Sequence, residues 1–166
     1  MSRKKTLAAV GITALLALAA VPVVAGASTG SKAAAHHSSG QVVHVVEHAV
    51  SDTVQMFHPP ASSVGDTLGF HNPVFNAANT HQIAWDNGYC VRTVATGKTE
   101  WECTWTTLLH GGHLTVEGPY YDDGTNTTLT ITGGTGKYTG ATGHMLLHAR
   151  GNPLGSEYDF VFHLAG

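Results

Sequence analysis

The sequence predicts an all-β fold built on antiparallel strands, and three observations carry that prediction. Short runs rich in β-branched and aromatic residues recur along the chain, separated by Gly, Pro, Asn or Asp. Within them side chains alternate with a period of two, as in Thr127–Thr132 and Glu157–Leu164. Beyond residue 40 no ten-residue stretch has the spacing of an amphipathic helix. Eight or nine short strands joined by tight turns leave two architectures, a closed antiparallel barrel or a sandwich, and closure removes the exposed sheet edges.

The first segment, residues 1–27, reads as a secretory signal peptide. Arg3, Lys4 and Lys5 precede an apolar run from Leu7 to Val24, which Pro22 interrupts, and Ala25-Gly26-Ala27 supplies the small residues of a cleavage site. Residues 28–40 are Ser, Gly, Ala and paired His36-His37 without periodicity, the composition of a flexible linker. The strand-like runs follow at 41–48, 66–71, 80–85, 89–95, 100–109, 113–118, 127–132, 143–149 and 157–164. Gly133-Gly134-Thr135-Gly136 and Gly140-Ala141-Thr142-Gly143 fall between the late runs and read as strand-to-strand bends. The first of these lacks the Lys-Ser/Thr ending and following helix of a phosphate loop. No later run is apolar enough over ~20 residues to span a bilayer, so the expected product is an exported, soluble protein with no stable membrane span after cleavage.

Composition narrows the function classes. The chain has 166 residues, 42% hydrophobic and 11% charged, with a formal net charge of -3, which suits one domain with a core and rules out a solvating polyelectrolyte. Nucleic acid is excluded as a partner, because three of the eight basic residues sit in the leader and the rest form no cluster. His44-Val45-Val46-Glu47-His48 matches a zinc-peptidase spacing that works only on a helix. On a strand the two imidazoles stand about 13 Å apart and Glu47 points the other way, so no metal is expected there. His110 and His113 flank a turn without a third ligand at useful spacing. No Gly-x-Ser-x-Gly elbow occurs, which leaves no support for a serine hydrolase.

Cys90 and Cys103 flank Thr96-Gly97-Lys98, and their midpoint falls between Thr96 and Gly97. A hairpin centred there sets the two cysteines directly opposite each other, where a disulfide forms with modest adjustment; two buried free thiols are the alternative. Trp101, Cys103 and Trp105 share one face of their strand, facing either a pocket or an oligomer interface.

Four blocks in order carry a resemblance: Gly65-Asp66-Thr67-Leu68-Gly69-Phe70-His71-Asn72; Gly88-Tyr89-Cys90-Val91; Gly112-His113-Leu114-Thr115-Val116-Glu117-Gly118-Pro119-Tyr120; and Leu129-Thr130-Ile131-Thr132-Gly133-Gly134-Thr135-Gly136-Lys137-Tyr138-Thr139-Gly140-Ala141. Over residues 64–164 the chain resembles the allene oxide cyclase and dirigent superfamily. The resemblance implies a single eight-stranded antiparallel, lipocalin-like barrel over 41–166, with homo-oligomers (dimer or trimer) within its range. It implies a cofactor-free cyclase or isomerase that holds a small hydrophobic, lipid-like or polyketide-like substrate and controls its ring closure. A dirigent-like scaffold for reactive intermediates and a secreted carrier without turnover are the alternatives. By the same resemblance Glu47, Asn72, Cys90 and Tyr120 are the catalytic candidates, and Leu68 and Phe70 substrate-binding ones; Trp101 and Trp105 join the substrate-binding candidates because they share a strand face with Cys103. Asn72 precedes Pro73, so a turn-forming side chain is an equal reading of that residue.

Overall fold

The computed structural model describes residues 40–165. The proposed leader and all of the linker before Gly40 lie outside the described residues. Nine strands form one antiparallel sheet: β1 (Val42–His48), β2 (Thr53–Gln55), β3 (Thr67–Asn76), β4 (Gln82–Val94), β5 (Glu100–Leu109), β6 (Gly112–Tyr121), β7 (Thr127–Gly134), β8 (Gly143–Arg150) and β9 (Glu157–Leu164). Their order is β1-β9-β8-β7-β6-β5-β4-β3-β2, and β1 also pairs with β3. Eight strands therefore close into a barrel, with β2 as a short addition beside β3 and, among the described residues, only one turn of 3-10 helix, Gly136–Tyr138. Closure decides between the two architectures in favour of the barrel, with sequential hairpin neighbours from β3 to β9.

Period-two alternation fills the interior. Val45, Val74, Leu114, Val116, Leu129, Met145 and Phe162 are at most 1% exposed, and each stands at an inward position of its strand. The runs expected at 80–85 and 89–95 are one strand, β4, and the intervening Gly88 is a packing device rather than a break. A Cβ on Gly88 would lie 2.4 Å from the Trp105 Cβ and 2.5 Å from the Phe70 Cζ. The missing side chain lets two aromatic rings meet inside the barrel. The run expected at 66–71 extends to Asn76 through Pro73. Ser51 Oγ bonds both the N–H and C=O of His71, so the backbone groups of residues 71 and 73 face the seam beside β3. Proline is tolerated there because β2 pairs only with residues 67–69 and β1 only with 74–76. Three-residue β2 went unpredicted: its pattern is too short for periodicity to register.

The glycine-rich bends stand where expected. Gly136 has a φ of 58° and its Cβ would lie 2.2 Å from the Gly111 carbonyl oxygen, so the β7–β8 connection can pack onto the β5–β6 turn only without a side chain. At the other end Arg92 is 6% exposed; its Nε lies 3.4 Å from Asp66, its Nη1 bonds Asp122 at 2.8 Å, and its guanidinium stacks 3.9 Å from the Trp101 ring. Asp66 also accepts the N–H groups of Phe57 and Ser63, tying the 56–66 loop to the barrel rim.

Cys90 and Cys103 are directly opposed in the β4–β5 ladder and joined as a disulfide, as the hairpin register predicted. Replacing both by Ala should cost about 3 kcal/mol from the closed loop alone and lower Tm by roughly 10 °C. Calorimetry of the oxidised protein against the double variant checks this; an unchanged Tm would count against a native bridge.

Candidate active site

The site begins with an irregularity in the barrel wall. After β1 the chain leaves the sheet at Ala49–Asp52 and rejoins it as β2, opening a gap opposite Asn72 of β3. The side chain of Asn72, fully buried, fills the gap. Its Oδ1 accepts from the Val50 N–H (3.1 Å), the Ser51 N–H (2.9 Å) and the Ser51 hydroxyl (2.9 Å). Its Nδ2 donates to Glu47 Oε1 at 2.6 Å and Asp52 Oδ1 at 2.7 Å. All the hydrogen-bonding capacity of one amide is spent there. The turn reading of Asn72 is therefore corrected: the residue lies within a strand and its side chain stitches the seam from inside.

Glu47 is 5% exposed and faces a cavity whose other walls are Asp52, Leu68, Phe70, the Cys90–Cys103 disulfide, Trp105, Tyr120, Leu147, Tyr158 and Phe160. The cavity measures about 40 Å³, room for roughly three water molecules. Its aromatic rings touch in sequence: Phe70 and Trp105 edge to face with centroids 6.1 Å apart, then Trp105 and Phe160 at 5.4 Å. At one end the Tyr120 and Tyr158 hydroxyls share a hydrogen bond of 2.8 Å. Beyond them lies a polar vestibule of about 280 Å³ lined by Asp52, Asp122, Asp123, Gly124, Leu154 and Gly155. Asp52, Tyr120 and Tyr158 border both spaces, so the tyrosine pair is the partition between them.

Six of the expected site residues line this one cavity: Glu47, Leu68, Phe70, Cys90, Trp105 and Tyr120. Asn72 stands behind Glu47 and holds it. Two expectations are corrected. Trp101 faces inward but lies outside the cavity, under Arg92, with its indole N–H on Asp122 Oδ1 at 2.8 Å. Cys90 carries no thiol, because its sulfur is in the disulfide; it contributes an apolar wall. The helix requirement of the His44/Glu47/His48 pattern fails as expected: on β1, Glu47 faces the cavity while His44 bonds Asp159 and His48 bonds Asn79.

Asp86 was missed. It is fully buried on β4, directly across from Asn72 on one side and Thr107 on the other, and among the described residues neither carboxyl oxygen has a partner. The Thr107 hydroxyl and the Trp105 indole N–H beside it are also unpartnered. The signal was present as parity: counting by twos from Cys90 puts Asp86 on the same face. Burial pushes Glu47 up to about 8, against the Asn72 hydrogen bond and with help from the Asp52 charge. Burial, then the charges of Glu47 and Asp52, push Asp86 up to about 9. Both carboxyls are neutral acids at pH 7. Burial likewise raises Tyr120 and Tyr158 above the usual phenol range.

These shifts have a definite sign for stability. Glu47 and Asp86 hold their protons more tightly folded than unfolded, so stability is fully present below the ordinary carboxylate range and declines as pH rises toward 8 and 9. Asp66 runs the other way, since backbone N–H groups of Phe57 and Ser63 hold it low and it loses stability only in stronger acid. Urea unfolding from pH 5 to 9 should show a steady fall in ΔG, and Asp86→Asn should flatten it. A rise across that window, or an identical slope in the variant, would contradict the buried neutral acids.

Among the described residues no helix is long and apolar enough to cross a membrane. No protein of curated function matches the chain by sequence. Solved structures share the fold. A pyocyanin demethylase is 22% identical, with 74% of this chain and 100% of that chain covered and a TM-score of 0.63. AbnU, an exo-specific intermolecular Diels-Alderase, is 14% identical, with 78% and 100% covered and a TM-score of 0.62. The pterocarpan synthase dirigent protein PsPTS1 is 18% identical, with 76% and 97% covered and a TM-score of 0.59. Residues 29–160 match the family described as the allene oxide cyclase barrel like domain, and with most of its length inside that match the chain belongs to this family.

Proposed function

We propose that the barrel binds a small, largely apolar molecule, lipid-like or polyketide-like, and directs a ring-forming isomerisation of it. The observation that carries this reading is one buried acid, Glu47, held by Asn72 against a cavity walled, apart from Asp52 at its edge and the Cys90–Cys103 disulfide, by aromatic and aliphatic side chains. An intramolecular cyclisation joins two carbons of one molecule at the expense of a π bond, so nothing enters or leaves overall. Its barrier is largely the entropy of bringing the ends together plus the separation of charge. The walls address the first by confining the chain. Glu47 addresses the second: it hands its proton to the substrate oxygen, and the carboxylate so formed faces the positive charge left on the carbon framework. The proton returns to Glu47 once the ring has closed.

Access requires movement. A guest larger than a few waters must part the Tyr120–Tyr158 hydrogen bond, which joins the cavity to the vestibule. Both phenols belong to strand residues, so the motion is one of side chains and the barrel wall stays in place. On the same reading the chain is exported and the leader removed, a setting that suits a disulfide between opposed cysteines.

Mass spectrometry of small molecules that copurify with the secreted protein should identify the substrate class. With such a compound or its reactive precursor, Glu47→Gln should cut kcat at least a hundredfold while leaving affinity within a few fold. A carrier would retain binding and give no product with any candidate. A scaffold would alter product stereochemistry only when an external oxidant is present; either result would displace the cyclase reading.

A further inference from the structure

The outer face of β4 carries the apolar residues that its inner face lacks. Ile83, Trp85, Asn87, Tyr89 and Val91 alternate outward, and the four apolar members are 38–59% exposed. Thr104 and Thr106 of β5 flank the middle of this row on one side, and Gly69, His71 and Pro73 of β3 on the other. Glu102 stands across from Val91, at the end of the row and away from its middle. With side chains offering about 150–250 Å² each, these exposures leave roughly 400 Å² of apolar surface in one strip. The flanking residues bring it toward the ~800 Å² that each partner gives to a stable interface.

Two details make the strip a preformed contact surface. The His71 ring stacks on Trp85, with centroids 4.4 Å apart and planes 4° from parallel, and His71 Nδ1 shares a hydrogen bond with Asn87 Oδ1. The indole is thus held before anything touches it, which lowers the ordering cost of a contact. Gly69 stands directly across from Tyr89, where a Cβ would meet nothing within 4 Å and no positive φ asks for glycine. Its bare backbone leaves a shallow recess beside the tyrosine ring.

The five side chains also read the same from either end: aliphatic, aromatic, amide, aromatic, aliphatic. A twofold axis between two antiparallel copies of β4 therefore sets Ile83 on Val91 and Trp85 on Tyr89, with Asn87 meeting its own copy. Sheets packed face to face keep their strands within about 30°, so the pairs nearest the axis stay in contact. We propose that the outer face of β4 joins two copies of this chain about a twofold axis at Asn87, each Trp85 entering the recess between Tyr89 and Gly69 of the other copy. This surface is independent of what the cavity binds, because the inward side chains of β4 take no part in it.

Sedimentation of the purified protein tests it. A dimer should form with a low-micromolar or tighter Kd, and Trp85→Glu or Tyr89→Lys, each confirmed folded by its thermal transition, should weaken it at least tenfold. Mixing the two variants should restore a dimer, because the new carboxylate at position 85 then meets the new ammonium at position 89 of the other chain. Cys90 and Cys103 are paired, so Asn87→Cys supplies a single free thiol. A bismaleimide spanning ~10 Å should join two chains through it, while Thr93→Cys, about 40 Å from its copy, should stay uncrosslinked. A protein still monomeric at about 100 μM, a trimer, or a dimer indifferent to both charge substitutions would overturn the proposal. Two disrupted variants that stay apart on mixing would overturn it as well. A monomer whose Trp fluorescence answers to an added soluble glycan would overturn it in favour of a carbohydrate platform.

Discussion

One side-chain amide organises this barrel. Where β1 departs from the wall and β2 has not yet begun, the backbone of β3 lacks a neighbouring strand, and Asn72 answers from inside by capping Val50 and Ser51 and gripping Glu47 and Asp52. A buried amide left half satisfied would be costly, so the seam and the acid site stand or fall together. Glu47 is consequently placed by the same hydrogen bonds that close the wall. An aliphatic residue of equal size would fill the space yet uncap the Val50 and Ser51 N–H groups and leave the buried Glu47 carboxyl without its hydrogen-bond donor.

The cavity follows from a second constraint, the period of the strand. Once the register is set, every other residue of β3, β4, β5, β6 and β9 must project inward, and the inward set at this level is Leu68, Phe70, Gly88, Cys90, Cys103, Trp105, Tyr120, Tyr158 and Phe160. Gly88 is the economical member: by having no side chain it lets Phe70 and Trp105 approach. The disulfide braces the same hairpin while presenting sulfur, an apolar and polarizable surface, to the interior. Rigid walls around a narrow hollow suit confinement of a guest, and the tyrosine partition supplies the movable part.

Much of the site was legible in the chain through the family resemblance, which picked out Glu47, Phe70, Asn72, Cys90 and Tyr120, and through hairpin symmetry, which set Cys90 and Cys103 opposite each other about a turn. Asp86 was overlooked, although strand parity pointed to it, for a physical reason. On β4 the large apolar residues Trp85 and Tyr89 are 41% and 59% exposed, while small or polar Ala84, Asp86 and Gly88 point inward, the reverse of what hydrophobic patterning suggests. Trp101 misled in the opposite sense. It shares its inward face with Trp105, yet the Arg92 guanidinium covers it, a contact fixed by the pairing of β4 with β5.

By itself, then, the amino-acid order determined the all-β class, the hairpin that opposes two cysteines, the positions of the glycine bends and the family resemblance, since all of these are local in sequence: alternation, turn chemistry and short spaced blocks. Only the tertiary structure decided that the sheet closes through β1 and β3, that an asparagine before a proline belongs to a strand, and that it bonds Glu47 of β1 while standing opposite Asp86 of β4. Those outcomes depend on pairing between residues far apart along the chain, and on burial that raises a carboxyl's proton affinity only once the wall is complete.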